Sequence, residues 1–267
     1  MLGFSVPKIN WWIKSVLALQ IFCAIFTVGS TFPKGSDFTY NEQSTPIYEP
    51  FKPGDQVRHF EPGKLPYSSP NKPIIPSNEP ERILEEPGER LYRERLSFAA
   101  INHKLYGPTI KVTGEFETGD AKRFERFLRL SNQTFQTVSF DSPGGVVEEA
   151  LAISRMIRQR SLNTLISHGA LCASACPFSF AGGTERLASR EGYIGVHQAF
   201  FEEPGIIPVF FAVEDIQILQ GDVLKLLIDM GVDPWIMVPA LKTPKDEIYF
   251  LVKDELLKNK LATKIVD

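Results

Sequence analysis

Hydrophobic residues in the second half of the chain follow two alternating patterns. Short runs rich in β-branched and aromatic residues predict strands, and they alternate with stretches of helical periodicity, which predict helices. The predicted strands cover residues 110–116, 137–140, 163–167 and 193–196, and the predicted helices begin at residue 120 or cover residues 146–160, 173–180, 213–230 and 253–260. Because repeated strand and helix units favour a mainly parallel sheet, we predict one α/β domain over residues 95–267.

At the N-terminus an uninterrupted apolar run replaces this alternation. Residues 15–28 are apolar apart from Gln20 and the small polar ends, and Lys8 and Lys14 are the only charges among the first 14 residues. A run of about 14 residues suits the core of a signal peptide better than a membrane span, which needs about 20. We therefore predict that residues 1–30 form an export segment, which is either cleaved or retained as a membrane anchor. The expected location is the periplasm or another extracytoplasmic space, with the protein secreted or anchored to the inner membrane.

Residues 31–94 are dominated by proline. Eleven of the chain's 20 prolines lie between Pro33 and Pro87. Proline lacks a backbone donor and cannot continue a helix, so we predict a flexible, partly polyproline-II linker over this range.

Charge and composition exclude several functions. The chain has 29 Lys and Arg against 32 Asp and Glu, a formal net charge of −3, so no global basic field would attract nucleic acid. Its three cysteines and four histidines show neither C-x-x-C nor H-E-x-x-H spacing. We expect no metal, no cofactor and no nucleic-acid partner.

The candidate catalytic residues lie at two predicted strand-to-helix junctions and at the end of one predicted strand. Residues 141–145 read Asp-Ser-Pro-Gly-Gly, which indicates either a plain turn or backbone N–H groups turned toward a ligand. Ser174 stands among small residues at a predicted helix start, where its hydroxyl and the N–H of Ala175 can face one pocket. His197 ends a strand, and histidine is the usual base for a serine nucleophile. The alternative is that Ser174 only fills space at a close-packed helix start.

These three segments together carry a resemblance. Ser-Pro-Gly-Gly, a serine among small residues, and Ile-Gly-Val-His-Gln, in this order and spacing, resemble the ClpP/crotonase superfamily on its Clp-protease side. Residues 169–198 are more narrowly similar to exported bacterial ClpP-like proteins, with Cys-x-Ser-Ala-Cys around the serine and Phe-Ala-Gly-Gly after it. The resemblance covers about residues 111–266. It implies a ClpP/crotonase-like spiral of ββα units.

The resemblance also implies a Ser-His-Asp hydrolase. Ser174 would be the nucleophile and His197 the general base, and the N–H groups of Gly145 and Ala175 would form the oxyanion hole. The orienting acid would be Asp246, 49 residues after His197, with the adjacent Glu247 as the alternative. The substrate would be a peptide or protein.

Cys172 and Cys176 flank the candidate nucleophile, four residues apart. On a helix they would share a face. Two interpretations stay open: a disulfide that braces the turn in an oxidising compartment, or two small buried thiols that fill tight space.

Three other functions compete with the exported peptidase. The first is a catalytically silent ClpP-like module that serves assembly or interaction. A crotonase-type acyl-CoA enzyme fits less well, because nothing suggests an adenine or phosphate site. A serine–lysine peptidase also fits less well, because His197 occupies the place of the base. Members of the fold form trimers, hexamers or rings, so we expect a homo-oligomer by analogy. The helix over residues 213–230 would serve either that interface or the core.

Overall fold

The structure is a computed structural model, and it describes residues 15–16, 18–23, 54, 56–60, 95–199 and 209–267. The chain divides into two compact units, Met1–Gln43 and Ser44–Asp267. In the first unit the described residues are helical and exposed. No helix in the described part of the chain combines the length and the apolar character that crossing a membrane requires. The remainder of the predicted export segment lies outside the described residues.

The second unit contains ten strands and six α-helices among its described residues. The strands are β1 Val57–His59, β2 Ser97–His103, β3 Gly107–Thr113, β4 Thr137–Asp141, β5 Asn163–Ile166, β6 Leu171–Ala173, β7 Arg186–Ser189, β8 Tyr193–Val196, β9 Glu247–Phe250 and β10 Lys264–Val266. The helices are α1 Asp120–Leu130, α2 Val147–Gln159, α3 Cys176–Phe180, α4 Val209–Asp229, α5 Met237–Lys242 and α6 Lys253–Lys258, with a 3₁₀ helix at Pro234–Ile236.

The larger sheet has six strands in the order β10-β7-β5-β4-β3-β2. Every neighbouring pair is parallel except β2 and β3, which form an antiparallel pair. All five residues of β4 are buried, as expected for a strand covered on both faces. The mainly parallel sheet predicted from the alternation of strands and helices is confirmed.

The smaller sheet has four strands in the order β1-β9-β8-β6. Strands β6 and β8 are parallel, and β9 runs antiparallel to both β8 and β1. Strand β1 lies inside the range 31–94 that the proline pattern assigned to a flexible linker. That assignment is wrong for residues 56–60, because they pair with the sheet edge. Apart from residue 54, the rest of the predicted linker, up to residue 94, lies outside the described residues.

The helices pack around the larger of two apolar clusters, and the smaller cluster, which includes Phe60, lies on the smaller sheet. Helix α2 packs against α1, α3 and α4. Its buried face carries Ala150, Ile153 and Ile157, at the helical spacing that predicted it. On α4 the apolar stripe is also core, and its buried members are Leu219, Val223, Leu226 and Leu227. These four side chains therefore belong to the interior of the domain, not to a subunit interface.

Candidate active site

Ser174 stands on a sharp turn between strand β6 and helix α3. Its φ is 59°, in the left-handed region that non-glycine residues rarely adopt. The helix predicted over residues 173–180 therefore begins only at Cys176, because the left-handed residue interrupts the backbone between strand and helix. The Ser174 N–H donates to the Gly195 carbonyl of β8 at 3.0 Å. A strained turn of this kind exposes its side chain to a pocket instead of burying it in the core.

His197 follows directly after strand β8, which runs parallel to β6. The register pairs Ala173 with Gly195, so the two strands end side by side. Neighbouring strands lie roughly 4.8 Å apart, and the residues that follow, Ser174 and His197, contribute to the lining of the same pocket. The structure thus places the predicted nucleophile and base, 23 positions apart in the sequence, at one pocket, but among the described residues no hydrogen bond joins the Ser174 hydroxyl to the His197 ring.

The pocket is predominantly apolar. The space inside it that the centre of a water-sized molecule can reach is about 20 Å³. Its lining is formed by Val147, Ser174, Phe178, His197, Ala199, Leu219, Gln220, Val223, Met237 and Leu241. Helices α2, α3, α4 and α5 therefore supply the apolar walls, and the polar residues follow β6 and β8 or lie on α4.

The imidazole of His197 is buried, with 7% of the residue exposed. Burial disfavours the charged ring and lowers the pKa of His197 from 6.5 to about 4. The ring is therefore neutral at pH 7, which is the state in which an imidazole can accept a proton. It also packs against Phe60, with ring centroids 5.5 Å apart.

The glycine loop after β4 lies beside the nucleophile. Phe116 donates to the Gly144 carbonyl and accepts from the Val146 N–H, both at 2.8 Å. In a ladder of this form the N–H of the residue between them, Gly145, points away from Phe116. Neither that N–H nor the N–H of Ala175 donates to another group in the described residues. Both predicted oxyanion donors are thus available for a ligand.

Gly144 is the glycine next to the nucleophile, a position that no sequence motif distinguishes from Gly145. A Cβ added to Gly144 would lie 2.5 Å from the Ser174 Cβ and 3.0 Å from the Ala175 nitrogen. Its φ of 110° is also unsuited to a side chain. The double glycine was the available signal, but only the structure shows that a Cβ at Gly144 would meet Ser174, whereas one at Gly145 would meet Phe116.

The predicted acid, Asp246, lies in a turn whose backbone bonds to Phe60, the residue that packs on the imidazole. Asp246 is exposed in the turn before β9, and its carbonyl accepts from the Phe60 N–H at 2.9 Å. Glu247 is half-buried and pairs with His59 across β1 and β9. In the described part of the chain no hydrogen bond joins either carboxylate to the His197 ring. The assignment of Asp246 or Glu247 as the acid stays a prediction.

Cys172 and Cys176 are joined by a disulfide across the nucleophile turn. Both residues are fully buried, with Cys172 in β6 and Cys176 at the first position of α3. The bridge therefore ties together the two elements that hold Ser174. Among the residues that the structure covers, no group of three or more His, Cys, Asp or Glu could hold a metal ion.

Comparisons with known proteins identify no family. No protein-family model matches the chain, and no curated protein matches it. Among solved structures, the chain is similar to a ClpP1 mutant from Listeria monocytogenes, with a TM-score of 0.47 and 18% sequence identity. That alignment covers 60% of this chain and 91% of the other. The proposed chemistry of the site therefore rests on its own residues.

Proposed function

We propose that this chain is an exported, ClpP-like serine hydrolase that cleaves peptides. Ser174 is the nucleophile, His197 is the general base, and the N–H groups of Gly145 and Ala175 receive the oxyanion. The observation that carries this proposal is that a serine on a left-handed turn and a histidine at the end of the adjacent strand open into one pocket.

The state of each group supports this chemistry. The imidazole is neutral at pH 7 and can take the hydroxyl proton as Ser174 attacks a carbonyl carbon. The two backbone N–H groups without acceptors would then stabilise the negative oxygen of the tetrahedral intermediate. The apolar walls favour a substrate with an apolar side chain beside the bond that is cut. The N-terminal sequence supports export, and self-assembly is proposed from the resemblance.

A fluorophosphonate probe tests the proposal on the full chain. The wild type should be labelled at Ser174, as located by peptide mass spectrometry, and Ser174→Ala should not be labelled. Ser167→Ala is a matched control, because Ser167 is also half-buried but does not line the pocket. It should keep wild-type labelling. Folded wild-type protein that reacts no faster than Ser174→Ala would contradict the proposal.

One observation favours a second candidate, a catalytically silent module that serves assembly or binding. In the described residues, neither Asp246 nor Glu247 hydrogen-bonds to the imidazole. Without an acid the imidazole tautomer is poorly held, and the rate of acyl transfer falls by orders of magnitude. The same labelling experiment separates the two functions, because a silent module keeps the fold but does not react.

A further inference from the structure

A short strand from the proline-rich region completes the smaller sheet. Strand β1 pairs antiparallel with β9, with Val57 opposite Tyr249 and His59 opposite Glu247. Without it, β9 would be an edge strand with an unpaired row of backbone groups. The segment of residues 56–60 is therefore a built part of the domain.

Gln56 anchors this segment through its buried side chain. Its amide nitrogen donates to the Tyr249 hydroxyl at 2.8 Å and to the Glu255 carboxylate at 2.7 Å. The Gln56 carbonyl accepts from the Phe250 N–H at 2.9 Å. Because Glu255 also accepts from Tyr249 at 2.7 Å, the three side chains form a closed network. Such a network fixes the position of the strand along β9.

At the other end of the segment, Phe60 lies against the imidazole. It is 1% exposed, and its ring is tilted 59° to that of His197 at a centroid distance of 5.5 Å. Its N–H is bonded to Asp246, so the backbone cannot swing away without losing that bond. Phe60 does not line the pocket, so it supports the imidazole without occupying the space a substrate would enter.

We propose that Phe60 is a positioning residue for His197, delivered to the site by the strand that precedes the predicted domain. A buried aromatic ring restricts the rotamer of the imidazole and excludes water from one of its faces. Residues 56–60 are then part of the active site, and the site is incomplete in a chain that starts near residue 95. The effect on reaction rate rests on the proposed function, but the effect on the imidazole does not.

Titratable and charged groups surround this contact on several elements. The titratable and charged residues on these elements are Arg58 and His59 on β1, Tyr193 on β8, Glu214, Asp215, Asp222, Lys225 and Asp229 on α4, Lys242 on α5, and Lys245, Asp246, Glu247 and Tyr249 in and before β9. Burial is nevertheless the cause that lowers the pKa of His197. Removing the ring of Phe60 would admit water and raise that pKa.

NMR titration of the His197 imidazole in the full chain tests the proposal. In Phe60→Ala the pKa should rise from about 4 by at least one unit toward the solvated value of about 6.5. Phe60→Leu keeps most of the volume and the fold, and should give a smaller rise. Phe124→Leu is the matched control, because Phe124 is also fully buried and pairs with an aromatic ring, Phe98, at 5.3 Å. It should leave the titration of His197 unchanged.

Fluorophosphonate labelling supplies a second readout. If Ser174 is labelled in the wild type, Phe60→Ala should react about tenfold more slowly at pH 7, because we expect the misplaced base to cost more rate than its higher pKa restores. An unchanged His197 pKa in folded Phe60→Ala and Phe60→Leu overturns the positioning role, whatever the labelling shows. If the His197 pKa rises in Phe60→Ala but the wild type is not labelled, the positioning role is supported and the hydrolase proposal is contradicted.

Discussion

Adding a single methyl group at Gly144 tests how closely the glycine loop approaches the nucleophile. In Gly144→Ala, the new Cβ would meet the Ser174 Cβ at 2.5 Å and the Ala173 carbonyl oxygen at 2.7 Å. Real Cβ atoms do not approach other heavy atoms this closely, so the loop or the nucleophile turn has to move. The disulfide and the bond from the Ser174 N–H to Gly195 hold the turn, so we expect the loop to move instead.

Two costs contribute to the expected loss of stability. Overpacking of a tight contact costs about 1–3 kcal/mol, and an alanine at a φ of 110° adds about 1–3 kcal/mol of backbone strain. The free energy of unfolding should therefore fall by about 2–6 kcal/mol. Displacing the N–H of Gly145 by about 1 Å should slow labelling of Ser174 on the order of 100-fold.

Urea unfolding and fluorophosphonate labelling of the full chain measure the two effects. Gly231→Ala is the matched control, because Gly231 also has a positive φ, 71°, but a Cβ there would meet nothing within 4 Å. It should lose only about 1 kcal/mol from strain and keep the labelling rate. If Gly144→Ala behaves like Gly231→Ala in both assays, the close approach of the loop to Ser174 is refuted.

Three further predictions concern the base, the bridge and the acid. The unfolded imidazole of His197 takes up a proton near pH 6.5 and the folded one only near pH 4, so about 3 kcal/mol of stability should disappear as the pH falls between these values. Urea unfolding at several pH values should show this loss in the wild type, and an equal loss in His197→Gln would contradict the burial of the ring. Replacing Cys172 and Cys176 by alanine should lower the free energy of unfolding by about 2 kcal/mol and slow labelling, whereas a wild-type mass that does not change on reduction would disprove the bridge. Asp246→Asn should slow labelling more than Glu247→Gln if Asp246 is the acid, and equal rates for both variants and the wild type would exclude either carboxylate.

The parts of the fold that could be predicted are those with a local signal. Strand β4 is buried on both faces, and α2 carries apolar residues at helical spacing. The hydrophobic pattern of each segment therefore indicates its burial. Strand β2 was not predicted, because most of its residues are exposed and its stability comes from pairing with β3 along its whole length. Strand β1 was assigned to a linker because it is three residues long, lies among prolines and pairs with a strand about 190 positions later.

The site shows the same division between local and long-range information. Ser174, Ala175 and His197 could be named from short motifs, because each stands at a junction that its neighbours in the sequence define. Gly144 and Phe60 could not, since their contacts depend on a bridge to Phe116 and on the pairing of β1. No local sequence pattern indicates which of two adjacent glycines contacts a serine on a distant turn.

The low pKa of His197 sets a condition on catalysis. A general base is most effective when its pKa lies near the working pH, and at about 4 the imidazole is neutral but only weakly basic. A carboxylate within hydrogen-bond distance would raise that pKa by stabilising the charged ring. Asp246 is the proposed carboxylate, and its backbone carbonyl accepts from Phe60, which packs on the imidazole. If Ser174 is active, we therefore expect a carboxylate, with Asp246 as the proposed one, to reach the ring; a site in which none does would keep the fold but hold a weak base.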